Sequence, residues 1–413
     1  MTQTVAPPTE APPAAAALDT PPNKWKPRVA ALALSLAAIL LALFIGGIVM
    51  GVAVGSCQGS NICKLPVPTF FTVPLNAYWL LLVGAFGTPY DIEETLVSSI
   101  PLIFAALAVA FSFRGGLFNI GAEGQLYMGA IAATAVGITF NWAGWLLLPA
   151  CVIAAALAGA LWAFLPGILK AYRGAHEVIT TMMLNYVALN FMHYLLINSI
   201  TGAPGPLEGP QPGDPVSRGL NATFPIIVPS WLVPNARLSA AFLLALACGG
   251  LFWFILTKTT LGYAIRATGF NIKAARYAGI NVNRTIVLTM VISGAFAGLA
   301  GVSYIAGAGG QLQDSFDNFT FGFDAIAIAL LGKNTALGSI IAAILFGALY
   351  HGGINMQANA NIDTNIISVI QGLIIFFVGA EALILYLSRG GWNLATLLTP
   401  KPEADVPAER ASL

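Results

Sequence analysis

The sequence predicts an all-α protein that crosses a membrane about ten times, with one crossing made by a half-span or re-entrant segment. Of its 413 residues, 57% are hydrophobic and only 8% are charged, whereas soluble domains carry about 25% charged residues. A bilayer core requires about 20 apolar residues per helix, and such stretches recur along the chain. The composition excludes a soluble enzyme, a disordered protein and, with a net charge of +1, a nucleic-acid binder.

The spans follow one another in chain order, beginning after a polar N-terminal segment. The long apolar segments are predicted at 29–54, 95–113, 117–140, 145–169, 178–200, 238–257, 285–306, 335–351 and 364–387. A shorter stretch, Phe323–Leu331, is only about half as long as a span. Residues 70–86 are also apolar, but Pro74 and Gly84 interrupt them. We therefore expect an interfacial or outward re-entrant segment there.

The basic residues select one orientation of these spans. With the N-terminus inside and ten crossings, all Lys and Arg residues except Lys64, Arg218 and Arg237 fall on the inner side, as the positive-inside rule requires. We expect a multi-pass protein of the cell membrane with both termini in the cytoplasm. Residues 1–28 are predicted to be a disordered cytoplasmic tail, residues 29–390 the transmembrane domain, and residues 391–413 a second cytoplasmic tail.

The motifs of ATP hydrolysis and metal binding are incomplete in this sequence. Gly332-Lys333-Asn334 lacks the earlier Gly and the following Ser or Thr of a phosphate-binding loop. His176-Glu177 begins like a zinc motif, but Thr180 occupies the position of the second His. We therefore expect that the chain is not an enzyme and binds no metal or cofactor. Cys57 and Cys63 share the first outer loop, and the sequence leaves open whether they form a disulfide.

A glycine-rich segment, Arg114–Gln125, interrupts the helical pattern where the third span begins. It carries Asn119, Glu123 and Gln125 among apolar residues. Irregular backbone at membrane depth is tolerated where it is buried in protein or lines a cavity, and ionisable groups there are candidates for function. Glu123 either lines a solute pathway or caps the broken helix, and the sequence leaves both alternatives open.

Three further polar residues lie within apolar stretches. Asn185 either joins two helices by hydrogen bonding or contacts a solute. Asp324 lies near the N-terminus of the half-span, where the helix dipole stabilises negative charge; it either caps that helix or lies on the solute path. Asn355 adds an amide near the last two spans. The candidate pathway residues are Asn119, Glu123, Gln125, Asn185, Asp324 and Asn355.

The longest inner loop, about Lys258–Arg284, contains a short predicted helix at Asn271–Ala278. Asn271 is a suitable N-cap, and Gly279 is suited to end the helix. Its contact face is predicted to be small and basic, comprising Lys273, Ala274, Ala275, Arg276 and Ala278. Such a face could fit into a groove on another protein; the alternative is a solvated basic loop.

Four segments together resemble the permease subunits of bacterial ATP-binding-cassette (ABC) importers. They are Phe113–Gln125, Gly174–Thr181, Leu261–Val282 and Gly322–Gly338, and they are most similar to the ribose and branched-chain amino-acid permease family, especially its nucleoside-importer branch. The resemblance covers about residues 95–385. It implies ten spans in two pseudo-repeated halves, spans 2–5 and 7–10.

The resemblance also implies the partners and the function. Two permease chains, usually different in the nucleoside branch, form the pathway; ABC ATPase subunits hydrolyse ATP beneath them, and an extracytoplasmic solute-binding lipoprotein delivers solute. The coupling helix would be Asn271–Ile280, and the coupling residues would be Asn271, Lys273, Ala275, Arg276 and Gly279. We expect a pathway for a neutral polar solute, a nucleoside before a simple sugar. The alternative is an ion-coupled secondary transporter that uses Glu123.

Overall fold

The computed structural model describes residues 40–51, 67–198, 203–207, 209, 216–229, 231, 233–313, 320–360 and 365–379. The predicted tails and the Cys57–Cys63 pair lie outside these residues. The described part of the chain contains thirteen α-helices: α1 (Leu40–Gly51), α2 (Val67–Phe86), α3 (Pro89–Arg114), α4 (Ala122–Thr139), α5 (Gly144–Arg173), α6 (Glu177–Leu196), α7 (Ala241–Lys258), α8 (Thr260–Phe270), α9 (Ile272–Tyr277), α10 (Val282–Ser303), α11 (Phe321–Leu331), α12 (Ala336–Ala360) and α13 (Asn365–Gly379).

The predicted all-α, polytopic fold is confirmed. In the described part of the chain, five helices are long and apolar enough to cross a membrane: α3, α5, α7, α10 with its extension to Gly307, and α12 up to Asn359. Each of the ten predicted segments contains a described helix, and the half-span corresponds to α11. Two short strands, β1 (Ile197–Asn198) and β2 (Ala203–Pro204), pair antiparallel after α6.

Helix α2 differs from the interfacial segment predicted for residues 70–86. Its 20 residues form a helix that packs against α12 and α3, and Ala77 and Ala85 are fully buried. Gly84 lies against Asn355, and Gly352 lies against Leu81. Small residues on both helices let the backbones approach closely, so α2 belongs to the helix bundle.

Helix α3 begins with a complete capping box. The Thr88 side chain accepts from the Asp91 backbone N–H at 3.2 Å, and Asp91 Oδ2 accepts from the Thr88 backbone N–H at 2.9 Å. This reciprocal pair satisfies two backbone donors at the helix start. The basic residues Arg114, Arg173, Lys258 and Lys333 mark the opposite end of the bundle, which we call the inner end.

The helices form two inverted sets around α3 and α10. Helix α3 packs on α10, α11 and α12, whereas α10 packs on α3, α4 and α5. Ser293 contacts Ala108, and Gly115 lies against Thr289, so α3 and α10 run antiparallel. Exchanging α3–α6 with α10–α13 therefore reproduces the main packing pairs, in agreement with the two pseudo-repeated halves that the resemblance implies.

Glycines let helices α5 and α10 approach each other closely. Gly159 of α5 lies directly against Gly294 and Gly298 of α10, so that a Cβ at any of the three would overlap a neighbouring backbone. This small-residue seam is typical of helices that associate within lipid. It fixes α10, and with it the π-helical segment Tyr304–Gly309 that continues α10 towards the outer end.

A candidate solute cavity and a candidate docking helix

A cavity of about 490 Å³ lies among α3, α10, α11, α12 and α13. It is bordered by the half of α3 that precedes Ile103, by the first turns of α11 and α13 and by the last part of α12, which places it near the outer end of the bundle. Its volume lies within the range of about 300–1,000 Å³ that is usual for small-molecule sites. Its size and its position near one end of the bundle make it the candidate solute cavity.

Ionisable residues lie around the outer part of this cavity. Arg237 Nη1 lies 3.5 Å from Glu94 Oε1, and His351 Nε2 lies 3.7 Å from Asp91 Oδ1. The neighbouring carboxylate of Glu93 is buried and accepts from the backbone N–H groups of Arg237 and Leu238. The first turn of α3 thereby holds both α12 and the segment that leads into α7.

Aromatic and polar side chains occupy the deeper part. The rings of Tyr304 and Phe321 have centroids 5.7 Å apart with a 52° tilt, and Tyr350 lines the same space. Asp324 Oδ2 accepts from the Thr320 hydroxyl at 3.3 Å. The carboxylate therefore interacts locally at the start of α11, as the capping alternative predicts, and also lines the cavity.

Three of the predicted pathway amides instead form a buried network. Asn119 Nδ2 donates to Gln125 Oε1 and to Ser293 Oγ, both at 2.9 Å. Asn185 Oδ1 accepts from the Gly124 N–H at 2.9 Å, and Asn185 Nδ2 donates to the Ile120 carbonyl at 3.0 Å. The network satisfies the irregular backbone between α3 and α4, and Asn185 joins α6 to that segment.

Glu123 connects the two halves of the chain at their broken helices. Its buried carboxylate accepts from the Gly322 backbone N–H at 2.5 Å. A Cβ on Gly322 would come within 2.6 Å of Glu123 Cα, so the first turns of α4 and α11 are in direct contact. Helix N-termini carry partial positive charge, and the carboxylate of Glu123 lies between the two.

The structure thus brings only part of the predicted pathway set to the cavity. Asp324 lines it, whereas Asn355 accepts from Asn359 Nδ2 at 2.7 Å and packs against Gly84. That the remaining members line a pathway stays a prediction. Sequence reasoning missed the cavity residues Arg237, Tyr304 and Tyr350. Arg237 had one signal, because it is among the few basic residues predicted outside and acidic residues share that side.

The inner loop contains the predicted short helix, α9. Asn271 Oδ1 accepts from the backbone N–H groups of Lys273 at 3.0 Å and Ala274 at 3.1 Å, which confirms the N-cap. Gly279 follows the helix with φ +79°, a conformation that glycine adopts without steric cost. Lys273 and Arg276 are exposed beside it.

The outward face of α9 differs from the predicted small face. Ala275 is 2% exposed and belongs to a buried cluster with Leu117, Val282, Ile286 and Met290. Tyr277 is 94% exposed, and Phe270, just before α9, is 89% exposed. Ala275 therefore attaches α9 to its own chain, whereas Ala274 and Ala278 are exposed together with the two aromatic rings. Small residues also suit close packing within a chain, which is the role that Ala275 has here.

Comparison with known families matches residues 91–379 to the family described as branched-chain amino acid transport system, permease component. The chain is 37% identical over 364 residues to the guanosine ABC transporter permease protein NupP of Bacillus subtilis (strain 168), which covers 87% of this chain and 96% of that protein. No solved structure matches the chain.

Two other relatives have nearly the same identity over a smaller share of this chain. The nucleoside ABC transporter permease protein NupB of Lactococcus lactis subsp. cremoris (strain MG1363) is 36% identical over 312 residues, 75% of this chain and 85% of that protein. The glucose ABC transporter permease protein TsgB13 of Haloferax volcanii (strain ATCC 29605) is 36% identical over 314 residues, 74% of this chain and 80% of that protein.

Proposed function

We propose that this chain, which belongs to the branched-chain amino acid transport system permease family of ABC importers, forms the membrane pathway for nucleosides. The observation that carries the solute class is the similarity to the guanosine permease over 96% of that protein's length. A simple sugar is the second candidate, because a glucose permease is 36% identical. Ion-coupled transport has no such support, since the relatives are ABC permeases.

The complex that we propose contains partners on both sides of the membrane. ABC ATPase subunits dock at the inner end and hydrolyse the ATP, so this chain binds no cofactor of its own. A second, different permease chain completes the pathway, and a solute-binding lipoprotein delivers solute to the cavity at the outer end. The protein lies in the cell membrane with both termini in the cytoplasm, as the distribution of basic residues favours.

The proposed docking site is α9 together with Phe270. Aromatic residues are enriched among the residues that dominate protein interfaces, and the rings of Phe270 and Tyr277 are almost completely exposed. Lys273 and Arg276 add positive charge at the edge. The roles of Asn271, Ala275 and Gly279 are to shape the helix and attach it to the chain, as their contacts indicate.

A contiguous set of contacts leads from α9 to the cavity. Gly116 lies against Gly269 at the end of α8, and Leu117 shares a buried cluster with Ala275. Three residues after the Asn119–Ile120 turn, Glu123 holds the N-terminus of α11 through Gly322. Movement of α9 on ATP binding would displace this segment and then α11, which carries Asp324. In our proposal this displacement opens the cavity towards the cytoplasm.

Purification of the tagged chain from its native membrane in mild detergent tests this proposal. Expected companions are an ABC ATPase and a second permease in stoichiometric amounts, identified by mass spectrometry. The matched variant Gly279→Trp should retain the second permease and lose the ATPase, because a bulky residue at φ +79° both strains and obstructs the end of α9. A chain that purifies without an ATPase would refute the importer.

A further inference from the structure

The aromatic lining gives the cavity a chemical preference that a sugar site does not require. Tyr304, Phe321 and Tyr350 all border it, and Phe321 and Tyr304 adjoin one another. Every nucleobase has a π-face, so base stacking on aromatic side chains is effective for all bases. A free pentose has no such face. The lining therefore favours a solute that carries a planar ring.

The polar groups of the same cavity suit hydroxyl donors. A carboxylate has about four acceptor positions, and the Thr320 hydroxyl is bonded to Asp324 Oδ2, which leaves further positions for a ligand. Ser239 Oγ is buried and has no hydrogen-bond partner among the described residues, although Ser239 borders the cavity. A carboxylate that accepts from a ribose hydroxyl is the arrangement used at dinucleotide sites.

The balance of charge favours a neutral solute over a phosphorylated one. Two carboxylates, Glu94 and Asp324, border the cavity with one guanidinium, that of Arg237. Arg237 is already paired with Glu94, and His351 is paired with Asp91. Asp324 has no ion-pair partner among the described residues, and the negative field of its carboxylate would repel a phosphate group that enters the partly desolvated space beside it.

We infer that this cavity is a ribonucleoside-binding site of the permease itself, with Tyr304 and Phe321 receiving the base and Asp324 and Ser239 receiving the ribose hydroxyls. The inference rests on the proposed function and adds that solute is recognised within the membrane as well as by the delivering lipoprotein. It also assigns a specific discrimination to each contact. Asp324 distinguishes ribose from dideoxyribose, the aromatic pair distinguishes nucleoside from sugar, and the negative field distinguishes nucleoside from nucleotide.

Equilibrium binding to the purified complex, without the lipoprotein, measures these discriminations directly. The complex is placed in lipid nanodiscs and loaded with tritiated guanosine. Unlabelled guanosine, 2′,3′-dideoxyguanosine, guanosine 5′-monophosphate or ribose is then added as competitor. We expect the dideoxynucleoside and the monophosphate each to bind about tenfold or more weakly than guanosine. The dideoxynucleoside lacks the hydroxyls that donate to Asp324, and the phosphate of the monophosphate is repelled by the Asp324 carboxylate. Ribose should compete least.

Variants separate recognition from structural support. Asp324→Asn should reduce guanosine binding about tenfold and leave dideoxyguanosine binding unchanged, which also shows that the variant is folded. Tyr304→Leu should weaken the binding of both nucleosides about tenfold. Tyr304→Phe, which keeps the ring, should bind both nucleosides more tightly than Tyr304→Leu does. Trp145→Leu, an equally drastic change at an exposed residue outside the cavity, should alter neither affinity.

The outcomes that overturn the inference differ from those that overturn the proposed function. Equal affinity of the wild-type complex for guanosine and dideoxyguanosine, or a proportional loss of both in Asp324→Asn, would show that Asp324 supports α11 without recognising ribose. A complex that transports nucleoside with the lipoprotein but binds none without it would also overturn the site. A complex that transports glucose and no nucleoside would instead refute the proposed function.

Discussion

Replacing Tyr277 with alanine should detach the ATPase from the permease without unfolding either. The ring is 94% exposed in the isolated chain, so its removal should change stability by no more than about 0.5 kcal/mol. An aromatic side chain buries about 150–250 Å², and at about 25 cal/mol per Å² its complete burial in an interface is worth at most roughly 4–6 kcal/mol. Ordering costs reduce that figure, and interface hot spots lose about 2 kcal/mol or more on truncation.

A loss of about 2 kcal/mol weakens ATPase binding about 30-fold. Titration of the solubilised ATPase against the immobilised permease measures this affinity, and gel filtration with thermal unfolding monitors the fold. Phe270→Ala should behave like Tyr277→Ala. Trp145→Ala removes an exposed ring at the start of α5, at the opposite end of the bundle from α9, and should leave the affinity unaltered. Wild-type affinity in both α9-region variants would refute the assignment of this surface.

Three further substitutions test the contacts that connect α9 with the cavity. Gly322→Ala should cost about 1–3 kcal/mol of stability, because the added Cβ meets the Glu123 backbone; Gly250→Ala, whose Cβ meets no neighbour, should be neutral or stabilising in thermal unfolding. Asn119→Ala should lower stability by about 1–3 kcal/mol because buried partners, including Ser293, lose a hydrogen bond, and an unchanged unfolding midpoint would contradict that. Gly279→Ala should cost roughly 1–2 kcal/mol in α9 and weaken ATPase binding less than Gly279→Trp does.

Local chemistry allowed much of this fold to be predicted. Length and hydropathy located most of the long helices and the half-span that the structure shows as Phe321–Leu331, but not α2 as a member of the bundle or α8 within the predicted inner loop. The N-cap at Asn271 and the helix end at Gly279 followed from side-chain chemistry and from the φ range of glycine, and both are confirmed. The same reasoning placed the irregular backbone between Arg114 and Gln125, where the structure has a turn of seven residues between helices.

Contacts between distant residues could not be predicted in this way. The sequence identified Asn119, Gln125 and Asn185 as polar groups at membrane depth. The bond from Asn119 to Ser293 and the bonds of Asn185 to the Ile120 and Gly124 backbone depend on how α4, α6 and α10 pack. Which residues line the cavity also depends on packing, because residues as far apart in sequence as Glu94 and Gln371 line it together. Ala275 was predicted to contact a partner protein because its small size suits any close contact. Only the fold shows that Ala275 packs in a buried cluster with Leu117 of its own chain.

The inverted arrangement of the two halves gives Glu123 and Asp324 related settings. Each carboxylate lies in the first turn of a helix that begins within the bundle, α4 or α11, and helix starts stabilise negative charge. Only Asp324 lines the cavity in this structure, whereas Glu123 holds the two helix starts together. A motion that separates α4 from α11 would expose Glu123, which is why its role on the pathway stays a prediction.

ATP-dependent nucleoside uptake by the reconstituted complex tests the central claim most directly. Proteoliposomes containing this chain, its ATPase and its second permease would be supplied with the lipoprotein and radiolabelled guanosine. We predict uptake that requires ATP on the ATPase side and that does not respond to an imposed proton or sodium gradient. Uptake driven by such a gradient in the absence of ATP, by this chain alone, would contradict the account.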